Sequence, residues 1–430
     1  RDWSSDVCSS DLNGGTVSGL ISANTNAPLK NATIELKKLN SKMGEINTPD
    51  EGLFTFLDLP FGESYDLAPY KNDDPANGVS TADIVMIQKH ILGQQTFDSP
   101  YKYIAADANN SGTITAADIS ELRKLVLGVS DKFKNNQKSW RFIQGGFKFE
   151  DETNPWLNNG WPEFIHVDNL QGEVKDNNFM AIKIGDINYT AKTNLALASQ
   201  SRTAGRIYFE LEDKSLLPGD QMRIPVFGSW NNRISGFQLS WKYNPNVLEV
   251  VSVQSGQAII TEGNYSLLEG EKGILSMSWN GNDPIKASSN LPLFYIIVKS
   301  NHTINPANDF TVANSGIEVE AYTDELEILD IQLRDRSSHK ELVKFELFQN
   351  TPNPFGDKTN IAFYTPVQSS ALIKIHDLSG RLLLVKQIKT SVGVNNVQID
   401  QNEFSNHSGV YYYTLETSEF VATKKMILSK

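Results

Sequence analysis

Cysteine is almost missing from this chain, since Cys8 is the only one among 430 residues. A single thiol excludes an internal disulfide framework and any metal site built on several cysteines. Long apolar runs are also lacking: the longest, 291–298, is far shorter than the ~20 residues of a membrane-spanning helix and predicts a buried strand. Basic residues number 39 against 51 acidic ones, a net charge of -12, so nucleic-acid binding is not expected.

The chain also lacks a catalytic constellation. Its six histidines are scattered, and no zinc-protease, nucleophile-elbow, phosphate-loop or dinucleotide motif occurs. Glu210 and Glu212 form an acidic pair on one face of a predicted strand, but spacing along a sequence cannot show a glycosidase site. We therefore expect no enzyme within these residues.

The length of the chain predicts about three domains. A content of 39% hydrophobic and 21% charged residues suits a folded globular protein. Short alternating runs separated by turn residues favour a mainly β, multidomain fold of β-sandwich modules, with room for one small α-helical module. Residues 1–12 do not match this pattern and resemble a translated sequencing adapter. A genuine N-terminal segment is the alternative; in the first case the natural chain would extend upstream.

Residues 13–70 predict a small β domain. Val17–Ile21 and Ala32–Leu36 alternate apolar and polar residues, as strands with one buried face do, and a third short strand follows Gly52. The segment resembles the prealbumin-like or Cna-B-like modules of surface proteins. That resemblance implies a spacer without catalytic residues.

Residues 71–130 contain an internal repeat. The segments 79–84 and 114–119 are offset by 35 residues, and Gly93 and Gly128 keep the same offset. Each predicted helix begins after Asp83 or Asp118 and ends at one of these glycines, which suit a left-handed helix end. The repeat therefore predicts two loop-plus-helix units.

The second loop has the oxygen-ligand spacing of an EF-hand-like calcium loop. Because residues 100–104 look extended, no helix is expected to enter it. The ligands in positions 1, 3, 5, 7, 9 and 12 are Asp107, Asn109, Ser111, Thr113 through its carbonyl, Thr115 and Asp118. Asp118 stands where the usual ligand is glutamate.

A tandem loop and exiting helix with aspartate in position 12 resembles the type I dockerin family. That resemblance implies two calcium ions and docking onto cohesin domains. The first loop departs from the pattern, because Pro75 is inserted and Ala76 stands in position 5. Its candidate ligands are Asn72, Asp74, Gly78, Ser80 and Asp83. The alternative is that both loops are Asx-rich turns that cap short helices without metal.

In dockerins, partner recognition tends to lie at loop positions 10 and 11. The matching residues are Thr81, Ala82, Ala116 and Ala117. Their small side chains leave an open helix surface and do not specify a partner.

Residues 131–195 are predicted to be a connecting β segment that packs on the preceding modules. Its aromatic residues Trp140, Trp156 and Trp161 belong either to that packing or to an exposed platform for sugar rings. Asp186 and Asn188 have the spacing of the first two ligands of another loop, at most an auxiliary ligand set.

Residues 206–333 predict a two-sheet sandwich from a string of short strands. The stretch 236–250 resembles cohesins and related carbohydrate-binding jelly rolls. A cohesin implies protein docking on one sheet face, and a carbohydrate-binding module implies stacking of Trp230, Trp241 or Trp279 on sugars. Trp241 and Trp279 lie within strands, where core positions are commoner.

Residues 345–430 resemble the type A C-terminal sorting domain of the type IX secretion system, preceded by a polar linker at 334–344. The signature segments begin at 345, 359, 371, 409 and 424. The resemblance implies engagement of the secretion machinery and a protein that is secreted or attached to the outer cell surface.

Together these features predict a secreted calcium-binding modular protein for adhesion or scaffolding through protein or carbohydrate. Its expected partners are the secretion machinery, a polysaccharide, and a cohesin-like or dockerin-like domain in the same chain or another. The alternative is the non-catalytic C-terminal portion of a longer secreted enzyme that degrades polysaccharide or protein.

Overall fold

The computed structural model describes residues 14–194, 203–287, 290–337, 346–365, 370–391, 393–404, 407–417 and 421–429. The predicted adapter segment 1–12 and most of the linker 334–344 lie outside these residues. Two compact units make up the chain. One comprises 1–207, 216–304 and 312–331, and the other comprises 208–215, 305–311 and 332–430. Within the described ranges, no helix has the length and apolar character needed to cross a membrane.

Two small sheets form the N-terminal β region. The first has the order β4–β1–β9–β6 with β8 on β1, and the second has the order β3–β2–β5–β7. Apolar side chains of both sheets share one core, in which Val17, Ile34 and Phe142 are almost fully buried. The strands are β1 Gly15–Ala23, β2 Thr33–Lys38, β3 Ser41–Asn47, β4 Leu53–Leu59, β5 Tyr65–Tyr70, β6 Trp140–Gln144, β7 Ile165–Val167, β8 Glu173–Val174 and β9 Phe179–Lys183.

The segment 131–195 therefore does more than pack on the preceding modules. It supplies β6–β9, and β9 pairs in parallel with β1 from Ile21 to Ala23. Trp140 lies in the core of the β region, and Trp161 lies in the core beneath the helices. Their burial supports the packing interpretation over an aromatic platform for sugars.

Three helices lie in the repeat region: α1 Thr81–Ile91, α2 Pro100–Ala106 and α3 Ala116–Val126. Ile84 and Ile87 of α1 are fully buried in one core with Leu122 of α3. Gly93 and Gly128 both adopt the left-handed backbone predicted for the helix ends.

The expectation that no helix enters the second loop is wrong. Helix α2 occupies the stretch that looks extended in sequence and ends directly before Asp107. The side chain of Ser99 accepts the Tyr101 N–H at 3.3 Å, and Pro100 is in the first helical turn, where its fixed φ favours a helix. Tyr103 and Ile104 are buried, so packing outweighs their strand propensity.

The sandwich has antiparallel strands on two sides. On one side β16 pairs with β11 and β13, and on the other β12 pairs with β15 and β18. The elements from 205 to 335 are β10 Gly205–Leu211, β11 Gly219–Ser229, β12 Ile234–Lys242, β13 Glu249–Ser255, β14 Tyr265–Ser266, β15 Ile274–Ile285, β16 Phe294–Ser300, α4 Pro306–Asp309, β17 Thr311–Ala313, β18 Glu320–Thr323 and β19 Ile328–Asp335.

The C-terminal region is a second, smaller sandwich. One sheet has the order β20–β21–β24 and the other β23–β22–β25–β26, around a core that includes Ile361, Ile373 and Tyr413. Its strands are β20 Glu346–Leu347, β21 Lys358–Thr365, β22 Ser370–His376, β23 Leu382–Lys389, β24 Gly393–Asp400, β25 Gly409–Glu416 and β26 Val421–Leu428. The prediction of a mainly β, multidomain fold with one small helical module is confirmed.

Candidate calcium loops and docking surface

The second loop is closed by two buried carboxylates. Asp107 accepts the backbone N–H groups of Ser111 and Gly112, each at 2.8 Å. Asp118 accepts those of Asn109 at 3.1 Å and Thr115 at 2.8 Å. The structure thus folds the two ends of the predicted ligand series onto each other, between α2 and α3.

The donor set of this loop suits a hard cation. The Asn109 Oδ1 is buried and has no hydrogen-bond partner among the described residues. Burial raises the pKa of Asp118, and the nearby charge of Asp107 adds to that rise. An unpaired amide oxygen beside two desolvated carboxylates fits calcium, which takes six to eight oxygen ligands. The residues that would hold it are those of the predicted series, and its role there would be structural.

The first loop is arranged differently from its prediction. Asn72 Oδ1 accepts the Ser139 N–H at 2.9 Å, and the Asp74 carbonyl accepts the Asn77 N–H at 3.1 Å. In the described part of the chain, no hydrogen bond joins residues 72–76 to Asp83. Instead, Asp83 is bonded by Ser80 and by the backbone N–H groups of residues 187 and 188. The Asn72 side chain is thus engaged by Ser139, and Asp83 is tied to residues 187 and 188 rather than to residues 72–76.

Asp83 is fully buried beside a second carboxylate. Desolvation, and after it the charge of Asp186, raise the pKa of Asp83 to about 7. Backbone N–H donors oppose that rise. The capping alternative is also realised in part, because Ser80 with Asp83 and Thr115 with Asp118 form capping boxes at the starts of α1 and α3.

Helix α1 has a second face that lies on the sandwich. The Thr81 N–H donates to Gln238 Oε1 at 2.7 Å, and the Thr81 hydroxyl lies 2.7 Å from the Ser278 hydroxyl. Thr81, Gln238 and Ser278 are all buried. These polar groups are mutually satisfied in the interior of the contact between α1, β12 and β15.

Longer side chains surround this buried centre. Lys89 forms an ion pair with Asp324 at 3.0 Å, and Gln88 and Arg123 both hydrogen-bond to Asn280. Gly236 lies beneath the helix, where an added Cβ would come within 2.9 Å of Val85 Cγ2. Because Gly236 has no side chain, α1 can lie close to β12 at this point.

The four predicted recognition residues differ in burial between the two repeats. Thr81 and Ala82 of the first repeat are buried, and Thr81 contacts the sandwich directly. Ala116 and Ala117 of the second repeat are exposed. The two-fold repeat in sequence is thus used asymmetrically in the structure.

The aromatic residues considered for sugar stacking are mostly inside the sandwich. Trp241 and Trp279 are 0% and 3% exposed, and Phe237 stacks on Trp279 with 5.1 Å between ring centroids. Trp230 is half-buried, and its indole N–H donates to the Ile285 carbonyl at 3.4 Å. Neither Trp241 nor Trp279 offers a ring face to a sugar.

The acidic pair has a structural explanation. Glu210 is buried and bonds Arg334 at 2.6 Å, and Glu212 bonds Arg336 at 3.2 Å. Both carboxylates are thus engaged in ion pairs with arginine side chains.

Three segments of the chain match protein families. Residues 74–127 match the type I dockerin domain, 209–317 the cohesin domain, and 351–429 the secretion system C-terminal sorting domain. The chain thus contains these three modules, as predicted. The sorting domain marks a protein of the type IX secretion route that is secreted or held at the outer cell surface. The prealbumin-like identity of the first domain stays a prediction, and so do the domain boundaries.

Solved structures resemble parts of the chain. A type I cohesin–dockerin complex from Clostridium thermocellum, Coh-OlpC-Doc435, shares 16% identity over 32% of this chain and 93% of that chain, with a TM-score of 0.24. The cohesin CaCohA2 from Clostridium acetobutylicum shares 15% over 32% and 95%, with a TM-score of 0.24. PorZ of Porphyromonas gingivalis, a surface component of the type-IX secretion system, shares 20% over 20% and only 11% of its own chain, with a TM-score of 0.16. A comparison with curated proteins found no match.

Proposed function

We propose that this protein is an exported, calcium-binding scaffolding or adhesion protein whose dockerin helices dock onto its own cohesin sandwich. The buried contact of Thr81 with Gln238 and Ser278 carries the proposal. Dockerin and cohesin modules are partners by family, and here one chain holds both.

Docking within one chain is favoured by concentration. Residues 195–204 join the segment 131–194, which packs with the helices, to β10 of the sandwich, and short linkers give effective concentrations in the millimolar range. A cohesin or dockerin of another protein must compete with docking within the chain at this effective concentration. The self-docked pair is therefore a rigid spacer that leaves other surfaces to bind protein or carbohydrate.

The same contact explains why the polar groups are buried. A hydrogen-bonding side chain removed from water without a partner costs about 1–3 kcal/mol, and Thr81, Gln238 and Ser278 satisfy one another. Undocking would return these groups to water and would expose Val85.

The test compares Thr81→Arg with Ala116→Arg in the full chain, by amide hydrogen exchange with calcium present. The two positions correspond in the repeat, but only Thr81 is buried. We expect Thr81→Arg to speed exchange in α1, β12 and β15, and Ala116→Arg to leave it unchanged. Unaltered exchange in β12 and β15 of the Thr81→Arg variant would refute docking within the chain.

We also propose that these residues do not catalyse a reaction. Sorting, dockerin and cohesin domains are non-catalytic modules, and the Glu210 and Glu212 carboxylates are ion-paired. A longer parent protein that carries an enzyme upstream remains compatible with this role, and its coding sequence would decide between them.

A further inference from the structure

A second segment reproduces the turn at the start of the calcium loop. Asp186 accepts the backbone N–H groups of Thr190 and Ala191, both at 2.9 Å. Asp107 accepts those of Ser111 and Gly112 in the same relation, four and five residues further on. The segment 186–191 thus folds like the first half of the loop 107–118.

The other half of this loop comes from the first repeat. Asp83 Oδ1 accepts the Asn188 N–H at 3.3 Å, as Asp118 Oδ1 accepts the Asn109 N–H at 3.1 Å. The Thr190 hydroxyl donates to the Gly78 carbonyl at 3.2 Å.

This last contact also has its counterpart in the second loop. There the Ser111 hydroxyl donates to the Thr113 carbonyl at 3.1 Å. Gly78 and Thr113 are each five residues before the closing aspartate, so both halves correspond position by position.

We propose that these two segments form one calcium site whose halves stand in reversed chain order. Its ligands are Asp186, Asn188, Thr190, the Gly78 carbonyl, Ser80 and Asp83. The proposal deepens the calcium binding of the proposed function, replaces the predicted Asn72 and Asp74, and raises Asp186 and Asn188 from auxiliary to principal ligands.

An unsatisfied oxygen supports the site independently of the loop geometry. Asn188 Oδ1 is buried and has no hydrogen-bond partner among the described residues, just as Asn109 Oδ1 has none. Both occupy position 3 of their loops, where the side-chain oxygen of a calcium loop faces the ion. A buried amide oxygen left without a donor is costly unless a cation or water meets it.

A neighbouring cation acts on this site through its charge, since Lys183 interacts electrostatically with Asp186 and Asp83. Lys183 is buried close by, but its Nζ donates to the carbonyls of Pro75 at 2.7 Å and Ile184 at 2.9 Å. Within the described residues, no carboxylate lies within ion-pair distance of this Nζ. Thr190 is exposed, which gives a dissolved ion access.

Such a site would tie distant parts of the chain together. Residues 83 and 186 lie 103 positions apart, and the intervening chain includes most of α1, all of α2 and α3, and β6–β9. Calcium bound to both segments would clamp the start of α1 to the end of β9. Its release would loosen the helices from the β region.

The test is calcium titration of the full chain by calorimetry, with terbium luminescence as a second readout. We expect two ions per chain in the wild type and one in Asp186→Ala. Asn188→Ala, which removes an oxygen that has no other partner, is expected to weaken one site about tenfold or more. Asp74→Ala is the matched control and should keep two ions.

Asp107→Ala separates this inference from calcium binding in general. This variant should lose calcium binding at the second loop and keep calcium binding at the composite site. One ion in the wild type and none in Asp107→Ala would overturn the composite site while keeping the proposed function. Loss of an ion in Asp74→Ala, with two retained in Asn188→Ala, would assign the site to residues 72–83 instead.

Discussion

At the residue scale, a carboxylate at the start of a helix serves two purposes here. Asp83 and Asp118 each accept the backbone N–H of the capping residue and also a backbone N–H of a loop, that of Asn188 and Asn109 respectively. The hydrogen bonds of the cap hold each carboxylate in place before any ion binds. Capping and calcium binding, which compete as interpretations of the sequence, are therefore compatible in the structure.

His90 gives a prediction about pH. Its Nδ1 accepts the Phe97 N–H at 3.2 Å, and its ring stacks on Phe97 with 4.1 Å between centroids. Burial lowers the pKa of His90, so the folded state disfavours the charged ring. The stabilisation that His90 gives the folded state is therefore fully present above the unfolded-state pKa of about 6.5. It is lost as the pH falls through the lower pKa that His90 has in the folded state.

The measurement is thermal unfolding of wild type and His90→Gln between pH 5 and 8. The wild type should lose more stability than His90→Gln as the pH falls from 7 to 5. Parallel curves for the two proteins would show that His90 does not carry this dependence.

At the element scale, α2 shows how a short helix is hidden in the sequence. Pro100 and two tyrosines suggest an extended segment, yet Ser99 followed by proline is a helix-start signal. The burial of Tyr103 and Ile104 against the other helices decides the outcome. The formation of α2 therefore depends on packing against the other helices, which local helix propensity does not describe.

Removal of the α2 cap tests this explanation. Ser99→Ala should destabilise the helical region by about 1 kcal/mol, and Ser99→Asp, which keeps an acceptor, should retain most of the stability. Amide exchange at residues 101–106 reports the change locally. Equal exchange in Ser99→Ala and wild type would mean that packing alone holds α2.

At the scale of the whole molecule, the modules are interleaved in sequence. Strands β6–β9 return to the β region after the helices, and α1 packs on strands more than 150 residues away. The division into consecutive domains describes the sequence repeats well. The boundaries themselves stay a prediction, and the observed cores join segments that are distant in sequence.

Calcium removal should act on part of the molecule only. With a dissociation constant of ~0.1 mM and ~1 mM calcium, each occupied site adds roughly 1.4 kcal/mol to the free energy of unfolding. The double variant of Asp107→Ala and Asp118→Ala should lose the contribution of the second loop.

Hydrogen exchange with calcium and with chelator checks this expectation. Chelator should speed exchange in α1 and α3 and leave residues 346–429 unchanged, because no calcium loop is predicted there. A wild-type chain whose helices exchange equally in both conditions would contradict a calcium-dependent helical unit.

The sequence by itself determined what depends on local spacing. Turn residues and alternating runs indicated the strands, the 35-residue offset indicated the helix repeat, and six oxygens in one loop indicated the site at 107–118. The strand, helix and loop patterns each lie within about twelve residues, the range over which a loop or helix turn sets its own geometry, and the 35-residue offset only repeats such a local pattern.

The tertiary structure alone decided which distant segments meet. Asp186 and Asn188 carry the visible spacing of a calcium loop, but the packing of Ile184 and Ile187 into the helical core places this segment beside Asp83. Likewise, Thr81 is one of four equivalent candidates in sequence, and the sandwich contact selects it. Such contacts arise from the packing of whole elements, because burial and the satisfaction of polar groups are properties of both partners together.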